Sequence, residues 1–163
     1  MRLVWTKSTL PLSVVIRAIT GEDCSHFAFV FDSPGGGMVF QANLLGCGPE
    51  FFAKFKSACT IVHEVTLDVP TEIEDQVWDL VVSNYDGKPY GYKSCIYLGY
   101  RILLRRIFGI PMPDKNPYVS SGAFFCDELY ACLAPIPGLP KFDVADGMKT
   151  PHDVWKAVKG ITG

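Results

Sequence analysis

The sequence lacks the features that mark secreted, membrane-spanning and nucleic-acid-binding proteins. The first residues, MRLVWTKSTLPL, contain no sustained apolar segment, which argues against a cleaved signal peptide. No run of about 18 apolar residues is present to span a bilayer. The formal net charge is only −2, which gives no reason to expect nucleic acid as a partner. We therefore expect no transmembrane segment and no nucleic-acid partner. The expected location is the cytoplasm, or one that the sequence does not reveal.

Histidine is scarce, and the cysteines are scattered. The chain has three histidines and six cysteines, and no two cysteines form a C-x-x-C pair. Zinc sites can usually be recognised in a sequence by cysteine and histidine ligands a few residues apart, as in C-x-x-C. Since no such pair is present, we expect no metal and no cofactor. Because no secretion signal is present, we expect all the cysteines to be reduced thiols.

The composition is that of one ordinary globular domain. Of the 163 residues, 48% are apolar and 20% are charged, which is enough apolar material for a proper core. No internal repeat, low-complexity tract or linker divides the chain. We therefore treat residues 1–163 as a single domain.

The hydrophobic pattern predicts an α+β fold in which helices pack on an antiparallel sheet. Capping boxes are expected where Thr71 precedes Glu74 and where Thr150 precedes Asp153, each at the start of a helix. The predicted strands are 26–32, 38–43 and 60–69. The first predicted helices are 11–19, one of about 13 residues from Thr71 to near Gly87, and a longer one through Ile96 and Ile107. Two further helices are predicted to begin at Cys126 and at Pro151.

The stretch SSGAFFCDELYACL, residues 120–133, holds a candidate nucleophile. Leu129, Tyr130 and Leu133 follow Cys126 at the spacing of one helix face, so the pattern predicts a helix that begins at Cys126. A thiol at the N-terminus of a helix can have a lowered pKa, and the thiolate is the reactive form. The alternative is that Cys126 is simply a small core residue, since free cysteine is often buried.

A cysteine nucleophile needs a base, and the base needs a third group that orients it. His26, His63 and His152 are the available bases. His26 is favoured because it begins a strand directly after a polar turn, where a side chain can face a groove. His63 fits a structural sheet position, and His152 lies in the first turn of a helix, where positive charge is disfavoured.

Gln41 is the candidate orienting residue, as the polar interruption of the apolar run MVFQAN. It shares a face with His26 only if the paired residues of the two strands have numbers that sum to an odd value. A sum of 67 pairs the two directly, and a sum of 69 places them diagonally, roughly 7 Å apart. A five-residue SPGGG loop gives an even sum, so the register stays open at this point.

Several segments together resemble the circularly permuted branch of the NlpC/P60 papain-like superfamily. SHFAFVF, VFQAN and FFCDELYACL occur in the order of that family's histidine strand, polar residue and late cysteine helix. LSVVIRAITGEDCSH, DGKPYGYKSCIYLGY and KTPHDVW extend the resemblance from about residue 10 to residue 158. The resemblance implies a papain-like fold with Cys126 as nucleophile, His26 as base and Gln41 as orienting residue.

The resemblance also implies a function: a cysteine-dependent hydrolase or acyltransferase that cleaves an amide, ester or thioester through an acyl-cysteine. The expected substrates are peptide-like or acyl-lipid molecules. Two residues depart from the family pattern, because Asp127 replaces a serine and Gln41 is neutral where glutamate is frequent. They favour the alternative of a weak or inactive papain-like binding module. Since a carboxylate would support an imidazolium better, we expect Gln41→Glu to preserve or raise activity.

The helix through Ile96 carries a basic edge beside an apolar stripe. The stripe is formed by Ile96, Tyr100, Leu103, Leu104 and Ile107, and the edge by Arg101, Arg105 and Arg106. This pattern fits contact with a lipid or an anionic substrate. We favour the more common alternative, in which the stripe is buried in the core and the basic face is solvated.

Overall fold

A five-stranded antiparallel sheet in the order β4-β3-β2-β1-β5 is the centre of the fold. The computed structural model describes residues 1–32, 37–119, 122–133, 136, 139 and 147–162. A 3₁₀ helix, Cys126–Leu133, is called the Cys126 helix below. The other elements are β1 (Arg2–Lys7), α1 (Pro11–Thr20), β2 (His26–Phe31), β3 (Met38–Asn43), β4 (Gly46–Phe51), α2 (Phe52–Ala58), β5 (Thr60–Thr66), α3 (Thr71–Tyr85), α4 (Tyr92–Phe108) and α5 (Pro151–Thr162).

Alternating side chains along β2 divide the core between the two faces of the sheet. Phe27, Phe29 and Phe31 belong to the larger buried cluster, which includes residues of α3, α5 and the Cys126 helix. Ala28 and Val30 belong to a smaller cluster, which α2 completes with Phe55. The sheet is therefore covered on both faces, and β2 contributes to both cores.

The structure confirms the α+β class and most of the predicted elements. The helix predicted over 11–19 is α1, both strands of the predicted hairpin are present, and the helix expected from Thr71 ends next to Asp86. The strand predicted over 60–69 is β5 and ends at Thr66. Three elements were not predicted from the sequence: β1, β4 and α2. The β4 sequence GCGPEF contains two glycines and a proline, which are depleted in strands, so its pattern gave no signal.

Only one of the two predicted capping boxes is present. Thr150 and Asp153 form theirs reciprocally, since the Asp153 N–H donates to Thr150 Oγ1 and the Thr150 N–H donates to Asp153 Oδ2. The box at Thr71 is wrong, because α3 follows Pro70 and has no side-chain cap. Glu74 instead turns away from Thr71 and accepts the backbone N–H of Asp32 at 2.6 Å.

The expected orientation of α4 is also wrong. Ser94 and Leu98 form its buried side, whereas Ile96, Tyr100 and Ile107 of the predicted core stripe are 70%, 54% and 61% exposed. The apolar stripe of α4 therefore lies at the protein surface. Even so, none of the helices among the described residues combines the length and apolar character needed to cross a bilayer.

Gly46 allows β4 to approach the loop that follows α3. Its φ is +122°, and a Cβ at this position would lie 2.7 Å from the backbone oxygen of Lys88. The Cys47 N–H donates to that same oxygen, and the Gly87 N–H donates to the Cys47 oxygen. The paired backbone bonds fix the loop that leads to the candidate site, and only glycine fits the approach.

We expect Gly46→Ala to lower the free energy of unfolding by about 3 kcal/mol, because the added Cβ combines backbone strain with a collision against Lys88. Gly87→Ala is the matched control, since Gly87 also has a positive φ, +73°, but a Cβ added there would meet no atom within 4 Å. It should cost about 1 kcal/mol. Urea denaturation of both variants measures the difference, and equal costs would contradict the role given to the close approach.

Candidate active site

The register of the β2–β3 pair places Gln41 on the same face as His26. The strands are antiparallel, Ala28 pairs with Gln41, and Phe31 pairs with Met38, so the paired numbers sum to 69. Six residues, 32–37, therefore join the strands rather than five, although 33–36 lie outside the described residues. The diagonal placement considered from the sequence is confirmed.

A chain of hydrogen bonds begins at His26. Its Nε2 lies 2.8 Å from Gln41 Oε1, and Gln41 Nε2 donates to Glu50 Oε2 at 2.9 Å. Lys54 Nζ forms an ion pair with the other carboxylate oxygen of Glu50 at 2.8 Å. Strands β2, β3 and β4 therefore each supply one member of the chain, and α2 supplies the lysine.

Glu50 fixes which way round the Gln41 amide lies. A carboxylate only accepts hydrogen bonds, so the NH₂ group of Gln41 must face Glu50 and its oxygen must face His26. The oxygen in turn requires a proton on His26 Nε2, which leaves the lone pair of the neutral ring on Nδ1. This is the tautomer that a general base needs if the thiol approaches Nδ1.

Burial favours the neutral form of His26. The desolvation of its ring lowers the pKa of His26, while the hydrogen bond that it donates to Gln41 raises this pKa by a smaller amount. A neutral imidazole can accept a proton from a thiol, whereas an imidazolium cannot.

The Cys126 helix begins at Cys126, as predicted, although it is a 3₁₀ helix. Cys126, Leu129, Tyr130 and Leu133 are all buried, which confirms the predicted inward face. Glu128 reaches back to accept the backbone N–H of Phe125 at 3.1 Å, the reciprocal half of a capping box. The side chains of Asp127 and Cys132 lie outside the described residues, so the inference from Asp127 to a weak or inactive module stays a prediction.

Backbone pairing fixes the segment that enters the Cys126 helix. Phe124 forms an isolated parallel bridge with Tyr90. The Gly91 N–H donates to the Phe124 oxygen, and the Phe124 N–H donates to the Pro89 oxygen. A Cβ on Gly91 would lie 3.1 Å from backbone atoms of this segment, so the two stretches of chain are in close contact.

His26 and Cys126 line adjoining cavities. His26, Gln41 and Glu50 line a cavity of about 260 Å³, and Cys126 lines an apolar one of about 370 Å³. Ser25 and Tyr90 belong to the walls of both. The side chain of His26 shares a sheet face with Gln41, and the Cys126 helix approaches β2 from the other face, where Tyr130 contacts Phe27. A separation of about 4 Å between Cys126 Sγ and a His26 ring nitrogen stays a prediction.

The other titratable candidates lie elsewhere. His63 and His152 lie beside Asp23. Burial raises the pKa of the Cys47 thiol to about 11, which makes it a poor nucleophile. Glu50 is the site residue that sequence reasoning missed. It lies on the unpredicted strand β4, so only the strand pairing reveals its contact with Gln41.

Comparison with protein-family models, with curated proteins and with solved structures finds no match to this chain.

The carboxyl group that caps the Cys126 helix makes stability depend on pH. Burial raises the pKa of Glu128 from 4.5 to about 7. Between these values the folded chain binds more protons than the unfolded chain, so stability falls as pH rises. The contribution of Glu128 to the free energy of unfolding is fully present below pH 4.5 and is lost as the pH rises through about 7.

We expect Glu128→Gln to remove this part of the pH dependence, which amounts to on the order of 2–3 kcal/mol in the free energy of unfolding between the two pKa values. The amide oxygen of the glutamine can still accept the backbone N–H of Phe125, so the helix cap is kept. Denaturant unfolding of wild type and variant between pH 4.5 and 8 gives the difference directly. Glu72→Gln, at an exposed position of α3, serves as the control. Identical pH profiles for wild type and Glu128→Gln would contradict the assignment.

Proposed function

We propose that this protein is a cysteine-dependent hydrolase or acyltransferase on a permuted papain-like (NlpC/P60) domain. It cleaves an amide, ester or thioester bond, with Cys126 as nucleophile, His26 as general base and Gln41 as orienting residue. The observation that carries the proposal is the 2.8 Å contact between His26 Nε2 and Gln41 Oε1, held by Glu50 and facing a cavity.

The reaction proceeds in two transfers. Cys126 gives its thiol proton to His26 Nδ1 as its sulfur attacks the substrate carbonyl carbon. The tetrahedral oxyanion is stabilised by the backbone N–H of Cys126 at the start of its helix. As the bond to the leaving group breaks, the imidazolium protonates that group. Water or a second acceptor, deprotonated by His26, then attacks the acyl carbon. The C–S bond breaks, the acid or the acylated acceptor leaves, and the imidazolium returns its proton to the sulfur of Cys126.

The acyl group of the proposed substrate is apolar. The cavity that Cys126 lines is bounded by α1 residues such as Leu12 and Ile16 and by α4 residues such as Leu98 and Ile102. An acyl chain placed there would bury its methylene groups at about 0.8 kcal/mol each. The carbonyl carbon at the end of the chain would then meet the sulfur of Cys126.

The surface around this cavity supports an acyl-lipid substrate. Val15 of α1 and Ile96, Tyr100 and Leu103 of α4 line this cavity, and all four are exposed. Large exposed apolar areas mark interaction sites more often than ordinary solvated surface. The arginines of α4 do not form a uniform solvated face either, because Arg106 donates to the backbone oxygens of Ala18 and Ile19 at the end of α1.

We expect Cys126→Ala to abolish turnover of p-nitrophenyl esters, since the covalent route is lost, while unfolding changes by only about 1 kcal/mol. Wild-type rates should rise from the acetyl to the octanoyl ester as the chain fills the apolar cavity. Cys47→Ala is the matched control, because it removes a buried thiol from β4. Hydrolysis is followed by absorbance, and folding by thermal melts.

Full activity in Cys126→Ala would refute the mechanism. A wild-type protein that turns over no ester, and whose Cys126 reacts with iodoacetamide no faster than Cys47, would favour the inactive binding module instead.

The contact with Glu50 reverses the expectation for Gln41→Glu. In the structure a carboxylate at 41 would face the carboxylate of Glu50 at hydrogen-bond distance, so repulsion replaces the orienting bond. We expect this single change to lower kcat/KM by about 10-fold or more. In the double variant Gln41→Glu with Glu50→Gln, the amide at position 50 can donate to the carboxylate at position 41. The hydrogen bond between the two side chains is therefore restored with its direction reversed.

The double variant should therefore recover activity to at least the wild-type level. The rates of wild type, both single variants and the double variant form a double-mutant cycle. Additive losses, with no rescue in the double variant, would contradict the orienting role of Gln41 and Glu50.

A further inference from the structure

A second cluster of reactive side chains lies outside the candidate active site. Asp23, Cys24, His63 and His152 each offer one ligand atom, and these four atoms all lie within 4.8 Å of one another. The turn between α1 and β2 supplies Asp23 and Cys24, strand β5 supplies His63, and the first turn of α5 supplies His152. Positions this far apart in the chain give no ligand-spacing signal, which is why the sequence predicted no metal.

We propose that these four side chains bind one zinc ion. One thiolate, two imidazoles and one carboxylate are all ligands that zinc accepts, and four protein ligands are typical of closed structural sites. Tetrahedral zinc holds its ligand atoms about 3.3–3.8 Å apart, so the cluster needs only a small contraction. The thiolate and the carboxylate together balance the charge of Zn²⁺.

The contacts within the cluster favour a metal over a simple ion pair. His63 Nε2 lies 3.0 Å from Asp23 Oδ2, and His152 Nδ1 lies 3.5 Å from Asp23 Oδ1. His152 Nδ1 is buried without a hydrogen-bond partner. A buried nitrogen in that state costs free energy, and a metal ion would satisfy it. Cys24 is fully buried, so its thiol is suited to a metal and not to attack on a substrate.

Hydrogen bonds outside the cluster hold the ligands in place. Thr150, two residues before His152, donates to Glu22 Oε1 at 2.7 Å, next to Asp23. The ring of His63 stacks on Trp155 of α5, with centroids 3.9 Å apart. The turn, β5 and α5 are thus already joined before any ion binds, which lowers the ordering cost of metal binding.

A zinc ion here would tie α5 and β5 to the turn that precedes β2. Cys24 is followed by Ser25 and then by His26, so the site would anchor the end of the strand that carries the proposed base. The role is structural, and it is independent of whether the proposed chemistry is correct.

The test is titration of the chelator-treated full chain with Co²⁺, a spectroscopic substitute for Zn²⁺. We expect one equivalent to bind, with the visible bands of tetrahedral cobalt and a thiolate charge-transfer band in the near ultraviolet. Zn²⁺ should displace the cobalt and raise the melting temperature. Tryptophan fluorescence of the chain provides a second readout, since Trp155, one of the three tryptophans, stacks on His63.

Cys24→Ser should remove the thiolate band, and His152→Gln should weaken cobalt binding by about 100-fold or more. Cys24 is fully buried, whereas the side chain of His152 is partly exposed at the start of α5. We therefore expect His152→Gln to fold even without metal, which makes it the more reliable of the two variants. Cys47→Ala is the matched control and should bind like wild type. Absence of stoichiometric binding, octahedral bands without a thiolate contribution, or equal affinity in His152→Gln would each overturn the site.

Discussion

The hydrogen bond between His26 and Gln41 is the constraint on which the candidate site depends. It exists because the residue numbers paired between β2 and β3 sum to 69, which places both side chains on one face of the sheet. A shift of the register by one residue would move Gln41 to the opposite face. Glu50 makes the bond directional, since its carboxylate leaves the amide only one orientation. The same strand pairing that builds the sheet therefore selects the tautomer of the proposed base.

The Cys126 side of the site is built by different means. Backbone pairing between Tyr90 and Phe124 positions the chain that enters the Cys126 helix, and Glu128 caps its first turn. This half carries a buried carboxyl group whose pKa is raised to about 7, so it is sensitive to pH near neutrality. The proposed zinc site would add a third anchor on the strand end that precedes His26. The proposed zinc site, which would stabilise the fold, and the proposed base His26 thus lie at the same end of β2.

Local signals in the sequence were sufficient for most helices and for the two hairpin strands. They named His26 and Gln41 as partners, but only the observed register shows that the two share a face. The helix face after Cys126 and the capping box at Thr150 are local patterns, and both are present. What failed depends on tertiary contacts. The apolar stripe of α4 lies outside because Ser94 and Leu98 pack inward, and Glu50 acts from a strand with no strand-like composition. The residues of the proposed zinc site likewise come from three separate segments, so their spacing along the chain gives no signal. Periodicity along the chain contains none of this information.

In the proposed mechanism an acyl group passes through Cys126. Mass spectrometry of the wild-type protein, quenched early in a reaction with p-nitrophenyl octanoate, detects this intermediate. We expect one octanoyl group per chain, located on the peptide that contains Cys126 and absent once the ester is exhausted. Release of p-nitrophenol with Cys126 unmodified throughout, or with the acyl group on another residue, would contradict this mechanism.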